Sequence, residues 1–236
     1  MSRPLTVPVL ELRAAARVHG TGVTAVEALR GVDLQVAAGE LVAVMGPSGS
    51  GKSTLLTLAG GLDTATSGEV LVEGVPLSGL DAAGLAQLRR RSVGYVFQEL
   101  NLLPALTAAE NVALPLELDG VRARDARVRA LRALDELDLS PLAGRFPDDL
   151  SGGEQQRVAI ARGLVGDRRL LLADEPTGAL DSITGESVLA LLRQRVDAGA
   201  AAVLVTHEAR HAGWADRVVF LRDGRVVDEA RAEVLA

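Results

Sequence analysis

The sequence predicts an α/β fold: a mostly parallel sheet with helices on its faces and a helical segment inserted into it. Three observations carry this. Short apolar runs bounded by glycine or charge alternate with helical patterns. A glycine-rich loop, "GPSGSGKST" at 46–54, joins one apolar run to a helical pattern. The stretch from about 99 to 165 carries no strong strand signal. Strands separated by helices imply crossover connections, and therefore a mostly parallel sheet covered on its faces.

The apolar runs "ELVAVMG" (40–46), "SVGYVFQ" (92–98), "RLLLADE" (169–175), "AAVLVTHE" (201–208) and "RVVFLRDG" (217–224) read as buried strands. "STLLTLAGGL", after the glycine-rich loop, reads as a helix. "LRRRS" (88–92) is a helix end whose arginines suit the helix dipole, and it reads as a solvated face. In the inserted stretch Val128, Leu131, Leu134 and Leu137 recur every three residues, with Arg127, Arg129 and Arg132 directed elsewhere. That predicts an amphipathic helix with those four residues on its inner face. Near the end, Asp223-Gly224 between two apolar runs signals a hairpin. No internal repeat or low-complexity linker interrupts the chain. The organisation is one domain over 1–236, with a helical subdomain at about 99–165.

Composition excludes several classes. The chain has 236 residues, no cysteine and a net charge of -6. Disulfides and thiolate metal sites are excluded, and the charge gives no reason to expect nucleic-acid binding. No run of 18 uncharged apolar residues is present to span a bilayer. The start, "MSRPLTVPVLELR", lacks the apolar core of a signal peptide. A cytoplasmic location is expected, with any membrane attachment supplied by another chain.

The only lysine in the chain is Lys52, inside the glycine-rich loop. Gly46-x-x-x-x-Gly51-Lys52-Ser53 sits at a strand–loop–helix junction, the context of a phosphate-binding loop. Glycines let the backbone turn its N–H groups inward around phosphate oxygens. The helix N-terminus adds partial positive charge. A lysine gives a compact point charge that arginine's planar fork cannot replace. On this reading Gly46, Pro47, Ser48, Gly49, Ser50, Gly51, Lys52, Ser53 and Thr54 bind nucleotide, with Ser53 also a Mg²⁺ ligand.

"LLLADEP" (170–176) ends a buried run in two acids, Asp174 and Glu175. Unpaired buried carboxylates are costly, so the pair points to a charged ligand at the C-terminal edge of the sheet. Asp174 is expected to hold Mg²⁺, and Glu175 to act as the base toward an attacking water. Gln98 and His207 also end apolar runs and are expected at the same edge as catalytic residues, Gln98 also as a metal ligand and His207 near the terminal phosphate. Ser151 and Glu154 in "LSGGEQQR" (150–157) form a capping-box pattern ahead of the helical "VAIARGLV". A serine, two glycines and a helix N-terminus also make an anion site.

Taken together, the loop, Gln98, "LSGGEQQ", "LLLADEP", "GALD" (178–181) and His207 resemble the ATP-binding-cassette (ABC) ATPase family, over nearly the whole chain. The resemblance implies a P-loop NTPase core of RecA type with an N-terminal antiparallel β region. It implies ATP and Mg²⁺ as ligands, and a homodimer that sandwiches two ATP molecules. Ser151, Gly152, Gly153 and Glu154 would meet the ATP held by the other protomer, and Asp181 would couple the two sites. "FQELNLLPALTAAENVALPL" (97–116) is most similar to the group containing macrolide-export, lipoprotein-release, cell-division and peptide-resistance ATPases. That group implies an FtsX- or MacB-like transmembrane permease on a separate chain, and a peripheral position on the inner face of the membrane. Leu100, Leu102, Leu103 and Leu106 would then be either subdomain core or a groove for a permease helix. The alternative function is a soluble family member acting in translation or DNA repair. Two departures stand out. His19 occupies the expected place of an adenine-stacking aromatic, and Gly163 replaces a usual alanine inside a helix, at about 1 kcal/mol.

Overall fold

The computed structural model describes residues 7–231, so residues 1–6 of the stretch "MSRPLTVPVLELR" lie outside it. Its elements run β1 (Leu10–His19), β2 (Val26–Val36), β3 (Leu41–Met45), α1 (Lys52–Ala59), β4 (Ser67–Val72), β5 (Val75–Pro76) and α2 (Ala82–Arg91). They continue through β6 (Val93–Val96), α3 (Ala108–Leu118), α4 (Ala123–Asp135), α5 (Gly152–Leu164) and β7 (Leu170–Asp174). The last are α6 (Ser182–Asp197), β8 (Ala201–Val205), α7 (Ala209–Ala212), β9 (Arg217–Arg222) and β10 (Arg225–Arg231).

The five apolar runs become the parallel strands of one sheet, ordered β10-β9-β3-β8-β7-β6, with β10 antiparallel to β9. Successive side chains on a strand point to opposite faces. Along β3, Val42 and Val44 therefore enter one core and Leu41 and Ala43 the other. One core lies under α3, α4, α5 and α6; the other lies under α1 and the strands β1, β2 and β4. Both faces are covered, so the runs are apolar throughout. A second, antiparallel sheet, β2-β1-β4-β5, supplies the N-terminal β region that the family resemblance implies. The hairpin is also present: Arg222 pairs with Arg225, and Asp223 and Gly224 both have positive φ (48° and 75°), as a two-residue turn of type I′ requires.

The inner face of α4 differs from the expected one. Val128 is exposed, Leu131 only partly buried, and the buried positions are Ala126, Ala130, Ala133 and Leu134, with Leu137 just beyond the helix. A three-residue step turns only about 300° around a helix, so a strict three-residue repeat drifts off the face. The 3.6-residue period selects the alanines, whose small side chains let α4 approach α3 and α5.

Gly163 gains a structural reason. An added Cβ would lie 2.9 Å from Val96 Cγ2 and 3.0 Å from the Tyr95 carbonyl oxygen. The helix α5 needs a bare backbone here to lie directly on β6, which offsets the lower helix propensity.

Candidate functional site

The C-terminal edge of the parallel sheet opens into a cleft of about 430 Å³. It is lined by Gly46, Ser48, Gly49, Gly51, Lys52, Ser53 and Thr54 from the loop between β3 and α1, and by Gln98, Asp174, Glu175 and His207 from the ends of β6, β7 and β8. Val26, Glu27 and Ala28 of β2 close its side. Four separate chain segments thus deliver their chemistry-bearing residues to one cavity.

The loop is held from three directions. Gly51 is the N-cap of α1 at φ 105°, and an added Cβ would sit 2.3 Å from the Ala28 carbonyl oxygen. The Ser50 carbonyl accepts from Gly224 N (3.0 Å), tying the loop to the β9–β10 turn. Lys52 Nζ donates to the carbonyls of Gly46 (2.8 Å) and Pro47 (2.9 Å), so the ammonium is drawn over the loop. Ser50 is buried with its hydroxyl unpartnered, and neither it nor Pro47 lines the cleft.

The two acids differ. Asp174 is 6% exposed. Burial pushes its carboxyl above the usual carboxylate range, with Glu175 adding to the effect and Ser53 and Lys52 opposing it. Glu175 is more open, accepts from or shares a proton with His207 Nδ1 at 3.0 Å, and has a backbone φ of 45°. A non-glycine residue in the left-handed region costs about 1–3 kcal/mol and persists only where its surroundings enforce it. Several contacts do so. Glu175 N donates to Val205 O (3.0 Å), Gly178 N to Glu175 O (3.2 Å), and Gln156 Nε2 to Pro176 O (2.8 Å). Thr177 Oγ1 meets the buried His211 Nδ1 at 3.2 Å. Burial holds the His211 imidazole below its ordinary pKa, against the pull of Glu208.

Ser53, Gln98 and Asp174 offer hydroxyl, amide and carboxylate oxygens, the hard donors that suit Mg²⁺. No cluster of three histidines or acids able to hold a metal occurs among the described residues. A single carboxylate fits an ion whose remaining ligands are phosphate oxygens and water.

Other expected residues stand apart from this cavity. Ser151 caps α5, and its amide and hydroxyl both bind Glu154 Oε2 (2.7 and 2.8 Å), holding that carboxylate below its usual range. Gly152 and Gly153 open the helix. Asp181 caps α6 by accepting from Ile183 N and Thr184 N. None of the residues of these two segments lines the cleft, and His19 does not either, although Val26, its partner across β1 and β2, does. Leu100, Leu102 and Leu106 are partly buried and Leu103 is exposed, so none belongs to the fully buried core. Their segment is shaped by residues that sequence reasoning missed. Buried Asn111 bonds Leu103, Leu106 and Thr107, and Arg162 of α5 donates to the carbonyls of Leu100 and Asn101.

A larger cleft, about 530 Å³, lies at the opposite edge of the sheet and is rich in arginine. Arg132 and Arg195 there occupy the last turns of α4 and α6, where a cation offsets the dipole.

Residues 29–178 match the family model described as ABC transporter. The macrolide export ATP-binding/permease protein MacB of Shigella flexneri is 47% identical over 220 residues, covering 93% of this chain and 34% of that protein. MacB of Brucella melitensis is 46% identical over 222 residues, covering 94% of this chain and 34% of that protein. The chain therefore spans about a third of the length of these curated relatives. Among solved structures, the dimeric post-hydrolysis state of the ATP-binding cassette MJ0796 bound to ADP and Pi is similar at a TM-score of 0.90 and 42% identity. That match covers 94% of this chain and 98% of the other. The ATP-binding subunit of an ABC transporter is similar at a TM-score of 0.82 and 28% identity, over 94% and 90%.

Proposed function

Because the chain belongs to the ABC transporter family of ATP-hydrolysing cassettes, we propose that it powers a membrane permease by binding ATP between two copies of itself and hydrolysing it. The likeness to macrolide-export and transporter cassettes favours this over the soluble translation or repair alternative. The observation that carries the reading is the convergence of Lys52, Ser53, Gln98, Asp174, Glu175 and His207 on one cleft.

Gly46, Ser48, Gly49, Gly51, Lys52, Ser53 and Thr54 cradle the phosphates with backbone N–H groups, while Pro47 and Ser50 shape the loop from outside the cleft, and Lys52 places its charge on the phosphates. Ser53, Gln98 and Asp174 would hold Mg²⁺, which when bound neutralises phosphate charge. Glu175 orients the attacking water and accepts its proton, and His207, bonded to Glu175, stands by the terminal phosphate. Ser151, Gly152, Gly153 and Glu154 face the ATP of the other protomer, a reading supported by their place at the N-terminus of α5, where a serine and two glycines offer an anion site. Asp181 joins the two sites, and His19 stacks on adenine. The chain acts as one cassette whose helical subdomain spans about 99–165.

The partner is an FtsX- or MacB-like permease on a separate chain, with the cassette peripheral on the inner face of the membrane. No helix among the described residues is long and apolar enough to cross a membrane. The segment 99–116, where Leu100, Leu102 and Leu106 are half-buried and Leu103 is exposed, receives the permease's cytoplasmic helix; an adjoining cleft of about 300 Å³ between Leu62, Tyr95, Phe97, Asn101 and Pro115 is not lined by these leucines.

The test uses Glu175→Gln with ATP and Mg²⁺. The variant should dimerise and turn over ATP very slowly, and from detergent-solubilised membranes it should co-purify with a permease of few membrane helices. Wild-type turnover by this variant removes Glu175 as the base. Recovery of only soluble partners removes the permease.

A further inference from the structure

The helix α5 touches three functional segments at once. Its N-terminus carries Ser151 and Gly153, its last turns carry Arg162 against Leu100 and Asn101, and between them Gln156 reaches the loop that follows Glu175. Gln156 is 3% exposed, and its amide donates to Pro176 O at 2.8 Å, one residue beyond the proposed base. A buried glutamine amide with a fixed carbonyl partner is a rigid tie, because neither group has water to fall back on. It acts where rigidity matters: Glu175 is held at a positive φ that an unconstrained residue would leave. On the other flank Thr177 is fastened to His211. The turn bearing Glu175 is thus gripped from the helical layer by Gln156 and from α7 by His211.

We propose that Gln156 is a positioning residue for hydrolysis: it transmits the placement of α5 to Glu175 and so sets the carboxylate against its water only when α5 is seated. This rests on the proposed role of Glu175. Gln156 does not line the nucleotide cleft, so it acts through the backbone of Pro176. Its loss should leave ATP binding intact, since the phosphate loop is held separately by β2 and the β9–β10 turn.

The experiment compares Gln156→Met, which keeps the length and loses the donor, with wild type, in the single and the Glu175→Gln backgrounds. Expected is a fall in kcat of about 10- to 100-fold, as for displacement of a catalytic group by a fraction of an ångström to an ångström. The KM and Kd for ATP should stay within about threefold of wild type. In the Glu175→Gln background the same substitution should cause no further loss, because the two residues act as one unit. The proposal is overturned by a kcat within about twofold of wild type, or by equal losses in both backgrounds, the sign of a merely structural role. If Gln156→Met does not fold, Gln156→Asn, whose amide falls one methylene short, is judged by the same criteria. Failure of the broader functional reading is distinguishable: there Glu175→Gln itself turns over ATP normally.

Discussion

Replacing Gly51 by alanine tests whether contact with β2 sets the curvature of the phosphate loop. The new Cβ would lie 2.3 Å from Ala28 O and 2.9 Å from Leu29 Cδ2, and the backbone would have to hold φ at 105°. A carbon–oxygen contact ordinarily closes no nearer than about 3.3 Å, so the loop or β2 must move by about 1 Å. Overpacking of this kind costs about 1–3 kcal/mol, and the unfavourable φ costs about 1–3 kcal/mol more. The loop, exposed at Pro47, Ser48 and Gly49 and not paired in a sheet as β2 is, gives way, turning its N–H groups off the phosphates. Taking the low end, about 2 kcal/mol, ATP affinity should fall about 30-fold. The nucleotide-free protein should melt about 4–8 °C lower. Titration calorimetry with ATP and Mg²⁺ and a thermal melt read the two effects. An ATP affinity within about threefold of wild type, with an unchanged Tm, would refute the argument that this contact shapes the loop.

Four further outcomes are expected. Asp174→Asn should raise the Tm of the nucleotide-free protein at neutral pH, because burial raises the native carboxyl's pKa. The native state binds the proton more tightly than the unfolded chain, so wild-type stability falls as pH rises through the native pKa. The gain should vanish as the pH drops below the unfolded value near 4, and melts across pH series check it. His211→Leu should flatten the acid side of the stability curve. The native imidazole has a lowered pKa, so wild type loses stability as pH falls below about 6.5, where the unfolded chain takes up the proton first. Glu208, Arg210, Glu186 and His207 surround it, and an acid limb identical to wild type would exclude this role. His19→Tyr should tighten ATP binding severalfold through larger stacking area, about 0.5–1.5 kcal/mol; unchanged affinity by fluorescence titration would move the adenine elsewhere. Single cysteines at Glu99 or Ala105, in a chain without native cysteine, should cross-link to the permease in membranes.

Much of the site is legible in sequence because its determinants are local. The strands read as apolar runs because both sheet faces are buried, and the phosphate loop reads from glycine and lysine spacing because one short turn makes the whole cradle. The capping box at Ser151 and Glu154 and the turn at Asp223-Gly224 closed as their spacing predicts, since each bonds within a few residues of itself. What the tertiary structure decided was every feature whose partner is a distant backbone atom. Gln156 reads as one more polar residue in a helix until the carbonyl of Pro176 is brought to it. Arg162 and Asn111 gain their roles in the same way. Gly163 reads as a defect until β6 lies against it, and the alanine face of α4 is hidden by larger, exposed neighbours. Carbonyl oxygens and contact distances are common to all residue types. They leave no letter in the sequence, and only the packing of α5 between the sheet and the loop after Glu175 makes them specific.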